Sequence, residues 1–519
     1  MTRIATDSKR RARRPRLLAS LACLLLASPM LARGPEFPVV FVQEALQAGS
    51  LPAARLVRLD PDGRATVLTD GFAAAADPAV SHDGQRLLFA ARLRPDDDWS
   101  IWEMAADGSD KRRLTRDMGD CREPAYLAHG AVDAPNFRDK VPWMTFTSTA
   151  PAALDERGAG PLTSLYAMTL DPVPGRGTVT WRTTYNLGGD LAPTVLRDGR
   201  VLFSAWQRAG YALMTISWAG ENLNPFYGSH DGPRSQLSAC ELPEKRLVVF
   251  VESEAPRAER AGPLVAVSLR RPLHSRRRLS PEGERYRTPH WAPDSRLLVA
   301  SRGKAGDTFG IFYFDLDKGR RGRRLYDDPD WHDVDALPLV ARTEPVGRIP
   351  MVAFASVLNV GGFQDLGQLQ CMNVYDSDRP AYAGLAKGSV ASVRLVEGVP
   401  FSLPGRTGPW PGSPTPTTDA DAPWPPPYVT TRSLGEAPVE ADGSFYVNVS
   451  GDVPFYVETL DENGQVVQTM RSWVWVRSGD QRGCIGCHEN KELAPENRVT
   501  EALGKARPLT LNGSSTHDR

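Results

Sequence analysis

"DPAVSHDGQRLLFAARLRPDDDWSIWEMAADGSDKRRLT", residues 77–115, is one complete unit of the pattern that organises most of this chain. Pro78 marks a first strand. "LLFA" (87–90) is an apolar second strand, "SIWEMAADG" (100–108) alternates apolar and polar residues, and "KRRLT" (111–115) closes the unit. Alternation with period two ending in Asp/Gly turn chemistry is the signature of half-buried antiparallel strands.

The unit recurs from 37 to 345. Apolar second strands appear at "VVFV" (39–42), "MTF" (144–146), "VLFS" (201–204), "VVFV" (248–251) and "LLVA" (297–300). Marker prolines stand at Pro78, Pro124, Pro193, Pro289 and Pro338, at intervals of 46, 69, 96 and 49. The interval of 96 is two repeats, the missing one being "SACELPEKRLVVF" (238–250) with Ala239 at the proline position; the interval of 69 holds an insertion around "APAALDERGAGP" (150–161). A period near 48 is that of a propeller blade. "EFPVVFV" (36–42) lacks a first strand before it and "PLVAR" (338–342) lacks a second strand after it, so one blade is expected to be shared between the two ends. The repeat resembles the TolB-like propeller repeat, and the fold class expected is all-β: a six-bladed β-propeller over 37–345.

A second β unit follows at 346–478. "LPGRTGPWPGSPTPTTDADAPWPPPY" (403–428) reads as an extended Pro-rich surface loop, and 434–476 alternates strongly, with turns at Asp442-Gly443 and Asn463-Gly464. A small antiparallel β-sandwich-like domain is expected there, with 479–519 a separate tail.

Composition narrows the function classes. Sixty-two basic residues balance sixty-two acidic ones, so no whole-chain field recruits nucleic acid. Six cysteines exclude a dense disulfide framework. At the N-terminus, "SKRRARRPR" (8–16) precedes the apolar "LLASLACLLLASPML" (17–31). A transmembrane span needs roughly twenty apolar residues, so residues 1–33 read as a cleaved signal peptide with Ala27 or Ala32 as cleavage sites. Cys23 as a lipoprotein cysteine and Arg13-Arg14 as a twin-arginine signal are the competing readings. No later segment is apolar enough to span a membrane, and the mature chain is expected to be periplasmic or secreted.

The chemistry concentrates at "CIGCH", Cys484 to His488. Two cysteines at this spacing form thioethers to the two vinyl groups of a haem, and the histidine behind them lies under the ring as an axial ligand. One covalent haem c is the reading it favours. A zinc clip would want a second ligand pair at similar spacing, and a redox dithiol belongs at a helix N-terminus after a strand; both remain open alternatives.

"LGEAPVEADGSFYV" (434–447), "QTMRSWVWVRSGDQRGCIGCHEN" (468–490) and "LAPENR" (493–498), behind a propeller, resemble the hydrazine synthase alpha subunit family over roughly 37–500. The resemblance implies a periplasm-like compartment and an active-site haem near the propeller. In that family a tyrosine shortly after the motif ligates the haem and the motif histidine turns toward a zinc ion. Only Cys484, Cys487 and His488 carry over: this chain has no tyrosine after Tyr456 and no second haem motif. A general redox role therefore takes precedence over hydrazine synthesis.

With His488 as one axial ligand, Met470 and His290 are candidates for the sixth position. His290 and Cys240 each fall one residue after the marker position, while Cys121, Asp190 and Asp335 align just before the first strand. With His332 they form a candidate second site for zinc or another divalent metal at the channel mouth. His82 and His129 fall at turns and are expected to be exposed. No catalytic triad or phosphate loop stands out, and no catalytic residue is assigned. The leading expectation is an exported mono-haem c-type cytochrome-like protein, a candidate haem-dependent oxidoreductase acting in electron transfer or on a small molecule. Its partner would be a redox protein or a small substrate, with a hetero-oligomer as one assembly. The alternative is a periplasmic propeller that binds or scaffolds, with a structural or sensory haem.

Overall fold

A computed structural model describes residues 34–46, 53–128, 141–173, 175, 177–228, 234–254, 260–303, 307–347, 366–380, 382, 384–403, 424–488, 494, 496–505 and 507–511. The signal segment, His129 and most of the Pro-rich loop lie outside these residues. Six four-stranded sheets form a propeller. Blade 1 joins the two ends of the region: the inner strand Trp331–Pro338 pairs antiparallel with Val39–Ala45, followed by Ala54–Leu59 and Ala65–Val67. Blades 2 to 6 follow in chain order, with inner strands Ala74–Val80, Cys121–Tyr126, Asp190–Val195, Ser235–Leu242 and Arg285–Ala292. The shared blade expected from the unpaired repeat ends is therefore present, and it closes the ring. Second strands such as Val39–Ala45 and Arg86–Arg92 are buried on both faces, between neighbouring blades. That is why they read as continuous apolar runs.

Every inner strand carries a bulge where the chain adopts positive φ. The residues are Asp77, Glu123, Ala192, Ser238, Thr288 and Asp335, with φ between 41° and 56°, and each sits at a register shift against the second strand. A bulge re-aims side chains locally, and here it builds a blade-to-blade latch. Asp77 Oδ2 accepts the Glu123 N–H at 3.1 Å, Glu123 Oε2 accepts the Ala192 N–H at 2.7 Å, and Thr288 Oγ1 accepts the Asp335 N–H at 2.9 Å. The bulges also correct the repeat alignment. Measured from them, the marker position in blade 1 is Ala336, so Pro338 lies two residues late. Asp335 is a bulge residue, and the true counterpart of Cys121 and Asp190 is Asp333.

The sandwich has two four-stranded sheets. One runs Val429–Pro438, Ser392–Pro400, Phe455–Leu460, Val466–Thr469; the other runs Gln481–Gly486, Leu366–Asn373, Phe445–Ser450, Leu509–Thr510. The expected separate tail is instead part of this domain. Its strands Gln481–Gly486 and Leu509–Thr510 pair in parallel at the two edges of the second sheet, because the chain returns to bury Val476 and Leu511 in the sandwich core. Blades 3 and 4 hold the domain in place. Ala153 within the blade 3 insertion and Leu162 just after it pack with Val396, Val429, Tyr456 and Trp473, and Trp475 packs into a cluster with Trp143 of blade 3 and Trp218 of blade 4.

Candidate functional site

The Cys484–His488 motif begins on the edge strand Gln481–Gly486, where Cys484 pairs in register with Cys371. Arg482 ties that strand to the propeller by donating to the Leu223 carbonyl at 2.9 Å. Gly486 then passes so close to the 376–378 loop that a Cβ would lie 2.3 Å from the Asp376 carbonyl oxygen, a distance no side chain tolerates. His488 follows at φ 72°. Its Nδ1 shares a hydrogen bond with Asp378 Oδ1 at 2.8 Å, and its carbonyl accepts the Asp378 N–H at 3.2 Å. Both cysteines are half-buried, and all five described cysteines are thiols rather than disulfides.

These features fit a covalent haem. Iron-ligating histidines hand the ring nitrogen away from the metal to a carboxylate or carbonyl, which fixes the tautomer and the ring orientation. Asp378 takes Nδ1, which makes Nε2 the nitrogen an iron would use. Sequence spacing could not reveal Asp378, because it stands 110 residues from His488 on a different loop. Gly486, by contrast, was readable as a residue but not as a steric requirement.

The remaining candidates separate. Met470 is half-buried and packs against the apolar cluster between the blade 3 insertion and the sandwich, and against the sandwich core that Cys484 and Cys487 also touch. His290 lies on the inner strand of blade 6, far along the chain from the motif, and its Nε2 meets Asp335 Oδ1 at 2.7 Å. The candidate second metal set is not assembled: among the described residues no three His, Cys, Asp or Glu side chains cluster to hold an ion. Cys121 is buried between blades 2 and 3, its thiol pushed up to about 11 by burial. Cys240 is buried between blades 5 and 6, its thiol pushed up to about 12 by burial. Asp190 accepts from Asn186 Nδ2 at 3.0 Å, and burial raises its carboxyl to about 7. His332 Nδ1 accepts the Phe309 N–H at 3.2 Å. Residues two before a bulge point between blades, whereas bulge residues line the channel; the alignment through Pro338 mixed the two. His82 is buried, packed against Tyr126, rather than exposed.

The channel mouth itself is a cavity of about 520 Å³ that draws residues from all six blades. Its charges are neutralised internally: Arg122 pairs with Asp77, Arg260 with Glu123 and Arg287 with Glu44. Burial disfavours the Asp77 carboxylate, but the Arg122 guanidinium and its hydrogen bonds outweigh that and hold the group below its usual range. Among the described residues no helix is long and apolar enough to cross a membrane.

Comparison with known proteins agrees with this architecture. Residues 388–489, which include the whole motif, match the family described as the hydrazine synthase alpha subunit middle domain. The hydrazine synthase subunit alpha of Kuenenia stuttgartiensis is 27% identical over 88% of this chain, which spans 66% of that relative's length. The solved hydrazine synthase structure from the same organism superposes with a TM-score of 0.77 at 26% identity, covering 91% of this chain and 72% of that one. TolB from Acinetobacter baumannii aligns over 58% of this chain and 66% of its own, at 12% identity and a TM-score of 0.42. The chain is a relative of the hydrazine synthase alpha subunit, with a match to that subunit's middle domain placed behind a six-bladed propeller.

Proposed function

We propose that this chain is an exported mono-haem c-type protein that moves electrons or performs redox chemistry on a small molecule. The observation that carries the reading is the Asp378–His488 hydrogen bond at 2.8 Å, directly behind two half-buried cysteines. Cys484 and Cys487 would hold the haem, which supplies a one-electron centre and, at an open axial position, a site for a small ligand. His488 would ligate through Nε2 while Asp378 fixes its ring, and Gly486 lets the motif sit flush on the 376–378 loop. The N-terminal segment supports the compartment, because thioether attachment takes place outside the bacterial cytoplasm. The Kuenenia relative is named as a subunit, and a hetero-oligomer is the assembly we infer. We do not carry hydrazine synthesis across: the tyrosine that the family resemblance implies after the motif has no counterpart here.

Expression with its own leader in a host equipped for cytochrome c maturation, followed by a pyridine haemochrome spectrum, tests this directly. A c-type spectrum in wild type that is absent from Cys484→Ser/Cys487→Ser supports the proposal. Exported, folded wild type without haem would sink it. The channel-mouth cavity, lined by all six blades, favours a second reading, a propeller that binds a ligand while the haem senses. Spin state divides the two: a six-coordinate low-spin iron supports electron transfer, and a five-coordinate iron that takes carbon monoxide supports sensing or catalysis.

A further inference from the structure

Cys371 stands 113 residues before the Cys484–His488 motif, yet the fold sets it directly beside Cys484. The two are register partners on the parallel strands Leu366–Asn373 and Gln481–Gly486, so both side chains leave the same face of the sheet. Cys371 is 3% exposed, and Cys484 is half-buried against the same sandwich cluster. A single buried cysteine is ordinary packing. A second thiol in register with it points to chemistry between the two.

Distance decides which thiol Cys484 can reach in the folded chain. Neighbouring strands run about 4.8 Å apart, and a disulfide bridges Cα atoms about 4.4–6.8 Å apart. Cys487 lies three residues on, just past the end of the same extended strand, and three extended residues span roughly 10 Å. That is outside the bridging range. The strand is also held on either side of Cys484: Arg482 donates to the Leu223 carbonyl, and Gly486 pairs with Asn373. The other two described cysteines, Cys121 and Cys240, are buried between propeller blades.

We infer that Cys371 and Cys484 form a disulfide in the folded chain when no haem is attached. The step is thiol–disulfide exchange, and the oxidant is a disulfide of an oxidising compartment. Half-buried Cys484 attacks it first, which releases one thiol and leaves a mixed disulfide on Cys484. Cys371 then attacks the Cys484 sulfur and releases the second thiol. The two cysteines give up two protons and two electrons, and both leave with the two released thiols. The consequence for haem rests on the function proposed above: the bridge removes the Cys484 thiol from attachment, so loading has to precede oxidation of the docked strand.

The haem-free full chain, made with its own leader in a host without cytochrome c maturation, is reduced, freed of reductant and exposed to oxidised glutathione. Remaining thiols are blocked with iodoacetamide in denaturant, and the tryptic map is read without reduction. The expected product is a linked peptide pair joining Cys371 to Cys484, kept in Cys487→Ser and lost in Cys484→Ser. In Cys371→Ser, Cys484 is expected to stay as the mixed disulfide with glutathione. A thermal melt checks that wild type and each variant fold. The same oxidation in concentrated urea is expected to switch the product to Cys484–Cys487, because the shorter loop closes more readily in an unfolded chain. A Cys484–Cys487 or Cys371–Cys487 link in the folded protein would overturn the inference. So would an unlinked Cys484 in wild type, or the same pairing in urea as in buffer. The map reads thiols alone, so a chain that never takes haem leaves the disulfide standing, and a missing disulfide leaves the haem reading standing.

Discussion

Trp473 Nε1 donates to Glu156 Oε2 at 2.6 Å, fastening the sandwich to the blade 3 insertion across 317 positions of sequence. Glu156 is only 4% exposed, and burial raises its carboxyl from 4.5 to about 7. Between those values the folded protein keeps a proton that the unfolded chain has released, so this contribution to stability falls as pH rises through the window. Asp190 and Asp333, each raised to about 7 by burial, add to the same slope. Glu156→Gln keeps an acceptor for Trp473 and removes the ionisation. It is expected to gain up to about 3 kcal/mol at pH 8 and much less at pH 5, measured by urea denaturation. An equal effect at both pH values would show that Glu156 does not titrate in this range.

Gly486→Ala would place a methyl group 2.3 Å from the Asp376 carbonyl oxygen. The backbone on both sides would have to move, at a cost of about 1–3 kcal/mol. That movement falls on the turn between Cys484 and Cys487 and leaves the propeller untouched. The expected outcome is a folded, exported protein with a lowered haem-to-protein ratio by pyridine haemochrome. A full haem complement would mean that the loop yields freely and has no part in shaping the site.

The propeller was legible because its signals are chemical and repeat: a marker proline, an apolar run, an alternating strand, an Asp/Gly turn. The bulges were not, since Asp, Glu, Ala, Ser and Thr all occupy that position and no shared residue type announces a shared backbone. That is why Asp335 was aligned with Cys121 and Asp190. The motif cysteines and His488 were readable from spacing alone, whereas Asp378 and the parallel pairing of Gln481–Gly486 with Leu366–Asn373 depend on where the chain returns. Glu156 carried no mark of burial in sequence, because it sits in a polar-looking insertion whose neighbours Asp155 and Arg157 pair with each other at 2.9 Å.

Blades 6 and 1 share an apolar cluster that includes Leu298, Ile311, Phe41 and Val334, and a short run of polar contacts adds to it. Arg287 holds Glu44 through two hydrogen bonds of 2.7 and 3.0 Å, Thr288 accepts from the Asp335 N–H, and His290 meets the Asp335 carboxylate. Alanine at position 335 would be strained at φ 56°, so a single variant overstates the pair. A double-mutant cycle of His290→Ala and Asp335→Ala cancels that strain. A coupling energy of about 0.5–3 kcal/mol is expected from urea denaturation. A coupling of zero would leave closure to the shared apolar cluster, the Asp333–Phe309 backbone hydrogen bond and the Arg287–Glu44 pair.

Asp378 and His488 are each nearly half exposed, with side-chain exposures of 48% and 45%. An exposed pair contributes little to folding, so Asp378→Asn is expected to leave the melting temperature unchanged. Its effect should fall on the imidazole. A carboxylate on Nδ1–H makes the ring a stronger donor and favours the more oxidised iron, and an amide does so less. With haem attached, Asp378→Asn is expected to raise the midpoint potential in a spectroelectrochemical titration, at unchanged haem content. A raised potential with an unaltered melt would place Asp378 behind the axial ligand, as its hydrogen bond suggests. An unmoved potential would mean that another nitrogen or another residue holds the iron, and His488 would then be a surface histidine paired with a surface aspartate.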